Sequence, residues 1–204
     1  MASYICKKIS DPNNKWRDAD SVKLTRNSDG RTPHFSTEAR LVYDDERLYV
    51  SFLCDDDRFL ATMTEFNDTI YLEDVVEVFI DDDCDRKTYV EVEISPINTV
   101  LHYLIQNDLA GRFIGFARTE QRILSCVAVE EADPSRMKWY AEFSIPFDEF
   151  ITAPTIPPLH GDQWLFNLFR IKQDQGGNGE ECSYSNTEKD SFHDPACFVP
   201  LIFE

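Results

Sequence analysis

The chain has 204 residues, and a hydrophobic content of 42% is enough to bury a sizeable core in one domain of sandwich or barrel size, taken here as residues 1–204. Lys plus Arg number 20 and Asp plus Glu 38, a formal charge of −18 that argues against nucleic acid and anionic membrane as partners, because phosphate recognition needs basic clusters. No uncharged stretch approaches the roughly 20 apolar residues of a membrane-spanning helix.

The opening MASYICKKIS lacks the apolar run of a secretory leader. With Met1 as the native start the protein is cytoplasmic; with a leader removed it is secreted or periplasmic. Beyond it, apolar residues recur with period two rather than 3.6. The set Leu48, Val50, Phe52, Cys54 alternates with Tyr49, Ser51 and Leu53, and the same pattern marks Val75–Ile80 and Tyr89–Ile94. Further strands are predicted at Ala39–Tyr43, Val100–Gln106, Arg112–Arg118, Ile123–Val129, Trp139–Ile145, Trp164–Lys172 and Phe198–Phe203. Turn-prone acidic, Pro and Gly segments separate them, including Asp55-Asp56-Asp57, Asp81-Asp82-Asp83, Ala132–Ser135 and Gln175–Gly179. Short strands with regular turn signals predict an all-β, antiparallel sandwich of jelly-roll or Greek-key type, with one helical turn after Pro146. Gln173–Pro195 is the longest stretch without strand character, and a loop of that length is expected to be functional or disordered.

Catalytic signatures are missing: there is no P-loop, GxGxxG, GxSxG or HExxH. His34, His102, His160 and His193 lack metal-ligand spacing, and His160 and His193 read as solvated surface residues. The six cysteines show no CxxC and are expected as free thiols, with Cys54 and Cys126 acting as small hydrophobes. Loops at strand ends can supply carboxylate and carbonyl oxygens to calcium, so Asp55, Asp57, Asp81 and Asp83 are candidate calcium ligands; the alternative is solvated turns. Three polar residues interrupt apolar strands: Glu77, Asn167 and Arg170. Buried without partners they would be costly, so they either satisfy one another, for example Glu77 with Arg170, or meet a ligand on a concave sheet face. Period two puts Asn167 and Arg170 on opposite faces unless a bulge intervenes.

The ordered motifs LVYDDERLYV (41–50) with Asp55, IYLEDVVEVFID (70–81), YVEVEIS (89–95), WYAEFSIPF (139–147), GDQWLFNLFR (161–170) and FHDP (192–195) together resemble the family 9-like carbohydrate-binding modules, within the DOMON-like β-sandwich group. The resemblance implies a non-catalytic domain that holds the end of a glycan between two aromatic rings, with calcium supporting the fold. It places the rings at Tyr71 and Tyr184, where the best-understood members carry tryptophan, and aligns Glu77, Asn167 and Arg170 with polar positions of the cleft. It also implies carbohydrate as the partner, alone or beside a glycan-active protein. Two rival functions are weighed. DOMON-like relatives also bind haem, through Met, His or Lys; here only Met1, Met63 and Met137 are present and no CxxCH occurs. A glycoside hydrolase needs two carboxylates, which 38 acidic residues supply without distinction.

Overall fold

The computed structural model describes residues 3–133, 136–173, 179–189 and 191–204. The turns expected at Pro134–Ser135 and Gln175–Asn178 lie outside the described residues. Strand dominates the described residues, and no helix among them reaches seven residues. In chain order the strands are β1 (Tyr4–Lys8), β2 (Val22–Lys23), β3 (Thr25–Arg26), β4 (Thr37–Tyr43), β5 (Arg47–Asp56), β6 (Val75–Asp81), β7 (Thr88–Ile94), β8 (Val100–Asn107), β9 (Phe113–Ala117), β10 (Leu124–Asp133), β11 (Arg136–Pro146), β12 (Gln163–Lys172), β13 (Glu180–Ser183) and β14 (Val199–Phe203). Each run expected from alternation is a strand, and the helical turn after Pro146 is a 3-10 turn at Phe147–Glu149.

Two sheets result. One runs β10-β11-β5-β4, with β2 on β4; the other runs β14-β12-β6-β7-β8-β9, with β13 on β12 and β3 on β13. Neighbours are antiparallel except at β1, which departs from the expected pattern. Tyr4, Ile5 and Cys6 pair in parallel with Leu201, Ile202 and Phe203, and Lys7 and Lys8 then pair in parallel with Val42 and Tyr43. One strand thus leaves the second sheet and enters the first. β13 corrects a second expectation, because strand occurs inside the 173–195 stretch: Cys182 sits opposite Arg170 in the ladder and brings this segment onto β12.

Between the sheets, Leu41, Val50, Phe52 and Phe143 meet Val76, Val78, Val92, Phe166 and Leu168, all essentially fully buried. Each such side chain contributes about 1.5–3 kcal/mol through removal from water. Cys54 joins this core, as expected, but Cys126 does not: β10 ends its sheet and turns Cys126 to solvent. All six thiols are free.

The second sheet is apolar on its outer face too. There Phe79, Tyr89, Ile105, Leu165 and Phe169 are covered by Phe192 and Phe198 from the segment before β14. At the other end, Ile70, Val75 and Leu101 pack together with Met63 beside them. Two acids fasten that second cover. Asp74 accepts the Leu60 and Gln173 N–H groups, and Glu73 accepts those of Thr62 and Met63 with the Thr62 hydroxyl.

Candidate functional site

Between these covers, the outer face of β6, β7 and β8 carries the most unusual chemistry of the molecule. The alternation that sends Val76, Val78 and Val92 inward sends Glu77, Glu91 and Glu93 outward. Glu77 lies directly across from Glu93, and Phe79 across from Glu91. On the far side Tyr103 is opposite Glu91 and Leu101 opposite Glu93; on the near side Phe169 is opposite Glu77. Carboxylate oxygens from the three glutamates lie within 4.8 Å of one another. Yet Glu77 is 2%, Glu91 5% and Glu93 0% exposed. Glu77 Oε1 and both Glu93 carboxylate oxygens are buried with no hydrogen-bond partner. Burial, followed by the neighbouring acids, pushes the Glu77 and Glu93 carboxyls well above the usual range, and burial raises Glu91 to about 7.

Two tyrosines border this patch. Tyr71, on the 3-10 turn Ile70–Leu72, is 41% exposed. Tyr103 is half-buried and packs against both apolar clusters of the outer face. Its ring lies over β9 because position 115 is glycine: a Cβ there would stand 2.6 Å from Tyr103 Cδ2. Burial, then the nearby Tyr71 and the acids Glu91 and Glu93, raise the Tyr103 phenol. Tyr71 and Tyr103 thus offer aromatic surface with acidic groups next to it, a combination that suits neutral, hydroxyl-rich ligands. Tyr103 escapes a reading of the sequence because VLHYLIQN looks like any strand; the ladder to Glu91 is what gives it a place.

The other sites expected from sequence fall elsewhere. Tyr184 does not face Tyr71. Its ring packs on Phe166, centroids 5.7 Å apart, against the inter-sheet core, and its hydroxyl donates to the Ser3 carbonyl. The two rings therefore lie against opposite faces of the second sheet, because Tyr184 continues the β13 register past the Ser183–Phe169 pair and stands opposite Leu168, whose side chain is in the inter-sheet core. Arg170 also points inward. It donates to Asp56 Oδ2 at 2.8 Å and Thr37 Oγ1 at 2.9 Å, so its partner is Asp56 and not Glu77. Asn167 does lie outward, on the face opposite Arg170 as period two requires, but its amide is consumed. Nδ2 donates to the Ser185 carbonyl, and Oδ1 accepts the N–H groups of Leu168 and Ser185. Only Tyr71 and Glu77 of the five belong to the outer-face patch.

The four expected calcium ligands separate into two places. Asp55 accepts from Ser36 Oγ and faces Lys138 at 3.3 Å; Asp57 faces Lys172 at 3.6 Å. Both line a groove of about 690 Å³ with His34, Phe35, Arg136 and Lys138. Lys138, Lys172 and the Ser36 hydroxyl face them, and they stand apart from Asp81 and Asp83. Those two come together with Asp85 at the β6–β7 turn, oxygens within 4.8 Å of one another. Asp81 Oδ1 is buried without a partner there, and burial raises the Asp81 carboxyl to about 7.

His160 is exposed, as expected, but His193 is not a solvated residue. It stacks on Phe113 at 3.6 Å and on Phe79 at 5.0 Å, and its Nδ1 meets the Tyr89 hydroxyl at 2.8 Å. Burial lowers its pKa to about 4.

Comparison with known proteins agrees with this architecture. The family described as carbohydrate family 9 binding domain-like matches residues 11–203. An "Extracellular protein" of Arthroderma benhamiae is 24% identical over 181 residues, covering 84% of this chain and 80% of that protein. A Bacteroides uniformis crystal structure superposes with a TM-score of 0.80 at 16% identity, over 99% of both chains. A family 9 carbohydrate binding module from Caldicellulosiruptor kristjanssonii in complex with cellotriose gives a TM-score of 0.64 at 17% identity, over 100% of this chain and 94% of that one. The same module with glucose gives 0.59 at 16% identity, over 100% and 96%.

Proposed function

The chain belongs to the carbohydrate family 9 binding domain-like family, and on that premise we propose that it is a non-catalytic module that binds a sugar or glycan end on the outer face of its second sheet. The observation that carries this reading is the exposed Tyr71 ring beside Tyr103, with Glu91 and Glu77 adjoining. Each ring supplies a flat face for the C–H side of a pyranose, and Glu91, the least buried of the three acids, is placed to accept from hydroxyls. Glucose and cellotriose, the ligands of the Caldicellulosiruptor module, are the first probes. The wider DOMON-like grouping and the absence of catalysis belong to the same proposal.

Calcium support of the fold fits the turn acids Asp81, Asp83 and Asp85, since Asp81 Oδ1 lies buried and unpartnered. Oxygen-only donors suit a hard cation, which would offset the repulsion among three acids of one turn.

The test is calorimetric titration with glucose and cellotriose, in calcium and in chelator. Tyr71→Ala should weaken binding at least tenfold while the far-ultraviolet circular dichroism and melting temperature hold; Tyr103→Ala should weaken it as much with the circular dichroism unchanged but a lower melting temperature, because its ring also packs on both apolar clusters. Tyr184→Phe should leave affinity within twofold. Unchanged affinity in both tyrosine-to-alanine variants would move the site off this face.

A further inference from the structure

We infer that β9, the free edge of the second sheet, is a dimerisation strand: it pairs antiparallel with β9 of a second copy of this chain, about a two-fold axis at Gly115. The pairing does not depend on whether a sugar binds.

β9 (Phe113–Ala117) ends its sheet and has β8 on one side only. The Arg112 carbonyl accepts the Asp108 N–H, and the Arg118 N–H donates to the His102 carbonyl. In an antiparallel ladder every second residue turns its N–H and C=O the same way, so Ile114 and Phe116 also bond β8 while Phe113, Gly115 and Ala117 aim both groups off the edge. Among the described residues no backbone group receives them. Natural edges are usually blunted by charge, proline or a covering segment. β9 carries neither a charge nor a proline, and all five of its residues are exposed, Phe113 by 44%, Ile114 by 61% and Phe116 by 52%.

The order of the residues selects the occupant. Reflected through Gly115, Arg112 falls on Arg118, Phe113 on Ala117 and Ile114 on Phe116. A second β9 laid antiparallel, Gly115 against Gly115, sets Phe113 against the small Ala117 twice on the outer face. It sets Ile114 against Phe116 twice on the face shared with Leu104. The same register joins the outward N–H and C=O groups of Phe113, Gly115 and Ala117 to those of the second copy. Charge agrees. In a chain of net charge −18, residues 109–119 contain no acid, so two copies meet here with little repulsion. Arg112 and Arg118, which the register brings opposite each other, each arrive with an acid of their own, Asp108 at 2.7 Å and Glu149 at 2.8 Å. The three apolar side chains bury on the order of 300 Å² per copy, well under the roughly 800 Å² per partner of a standard interface, so the dimer is weak, with a Kd on the order of 10–100 μM. A two-fold axis normal to the sheet keeps both outer faces on one side of the pair. On the sugar reading proposed above, Tyr71 and Tyr103 of the two copies then face one surface, an arrangement for bivalent hold on a glycan polymer.

The experiment is sedimentation velocity of the full chain without sugar, at concentrations from well below to well above that Kd. A reversible monomer–dimer equilibrium is expected. Ile114→Lys and Phe116→Glu, both at exposed positions, should each weaken it at least about tenfold with the far-ultraviolet circular dichroism unchanged. Mixing the two variants should restore a dimer, because the introduced lysine of one copy then faces the introduced glutamate of the other. A chain that stays monomeric throughout, association unaltered in both variants, or no recovery on mixing would each overturn the inference. Growth past the dimer would overturn it too, in favour of β9 meeting the acidic edge strand β10 of the next copy, a contact that does not close.

Discussion

Asp56 is the residue whose replacement should cost the most stability for the smallest change in shape. It is 2% exposed and stands at the end of β5 between the sheets. Its carboxylate accepts from Arg170 at 2.8 Å and Trp139 Nε1 at 3.2 Å, and pairs with Lys172 at 3.0 Å. The backbone N–H groups of Asp57 and Arg58 add bonds at 2.8 and 3.1 Å. Asp56→Asn preserves the outline but deletes the charge. Arg170, 1% exposed, would keep only the neutral oxygens of Thr37 and Ser36, and Lys172 would keep Asp57 and Asp74 at 3.6 and 3.8 Å. Leaving one member of a buried pair uncompensated costs about 3–5 kcal/mol. Arg170→Met is the milder change, about 1–3 kcal/mol, because Asp56 retains Lys172, Trp139 and two N–H donors. The double variant should recover at least about 1 kcal/mol relative to the sum, since each substitution removes the other's stranded partner. Urea unfolding followed by tryptophan fluorescence measures all three through shifts of the midpoint. Glucose affinity of Arg170→Met should stay within twofold, since this side chain faces the interior. Strict additivity, or an Arg170→Met cost above that of Asp56→Asn, would refute the assignment of Asp56 as the hub.

Three further outcomes follow from the geometry. Gly115→Ala should displace the Tyr103 ring by filling the 2.6 Å gap, weakening sugar binding about tenfold in calorimetry with a melting temperature little changed. The His193 pKa of about 4 lies below the ordinary 6.5, so the unfolded chain binds more protons between those values. Stability from this residue is complete above pH 6.5 and is lost as pH falls toward 4, by about 3 kcal/mol; burial lowers His102 to about 4 as well, so both histidines act over the same window. His193→Phe should make that part of the urea-midpoint profile shallower by roughly half, and an unaltered profile would contradict the burial of the ring. Ellman's reagent should titrate Cys84 and Cys126 quickly and Cys6, Cys54 and Cys182 only after denaturant, with no change in melting temperature on adding reductant.

Local alternation was enough to locate the longer strands because a half-buried pleat imposes period two wherever it runs. It says less where both faces of a strand are covered. Val75–Asp81 is buried at every position, so the sequence shows Glu77 as an interruption without revealing what lies over it. The alternating glutamates of YVEVEI read as a wet face; only the covers at 57–74 and 191–198 make them dry. Partners distant in sequence were the hardest to see. Arg170 and Asp56 are 114 residues apart, and each stands in a run with nearer opposite charges. The Tyr184 expectation failed for a related reason: β13 is four residues long among acids and glycines, too short to announce itself, yet its pairing with β12 decides which way the next ring turns. β1 escaped notice similarly, since YICKK gains its strand character from two partners that lie elsewhere in the chain.

That N-terminal ribbon has a consequence for biosynthesis. Tyr4 pairs with Leu201, which is made long after it. At cellular elongation rates of about 5–20 residues per second, roughly 10–40 s pass before its counterpart exists. Throughout that interval its hydrogen-bonding edge is open to strangers, including the same segment on a neighbouring nascent chain. Closure waits until β14 has been made, so crowding of polysomes, more than the strength of the finished sandwich, should govern how much of this protein is recovered in soluble form.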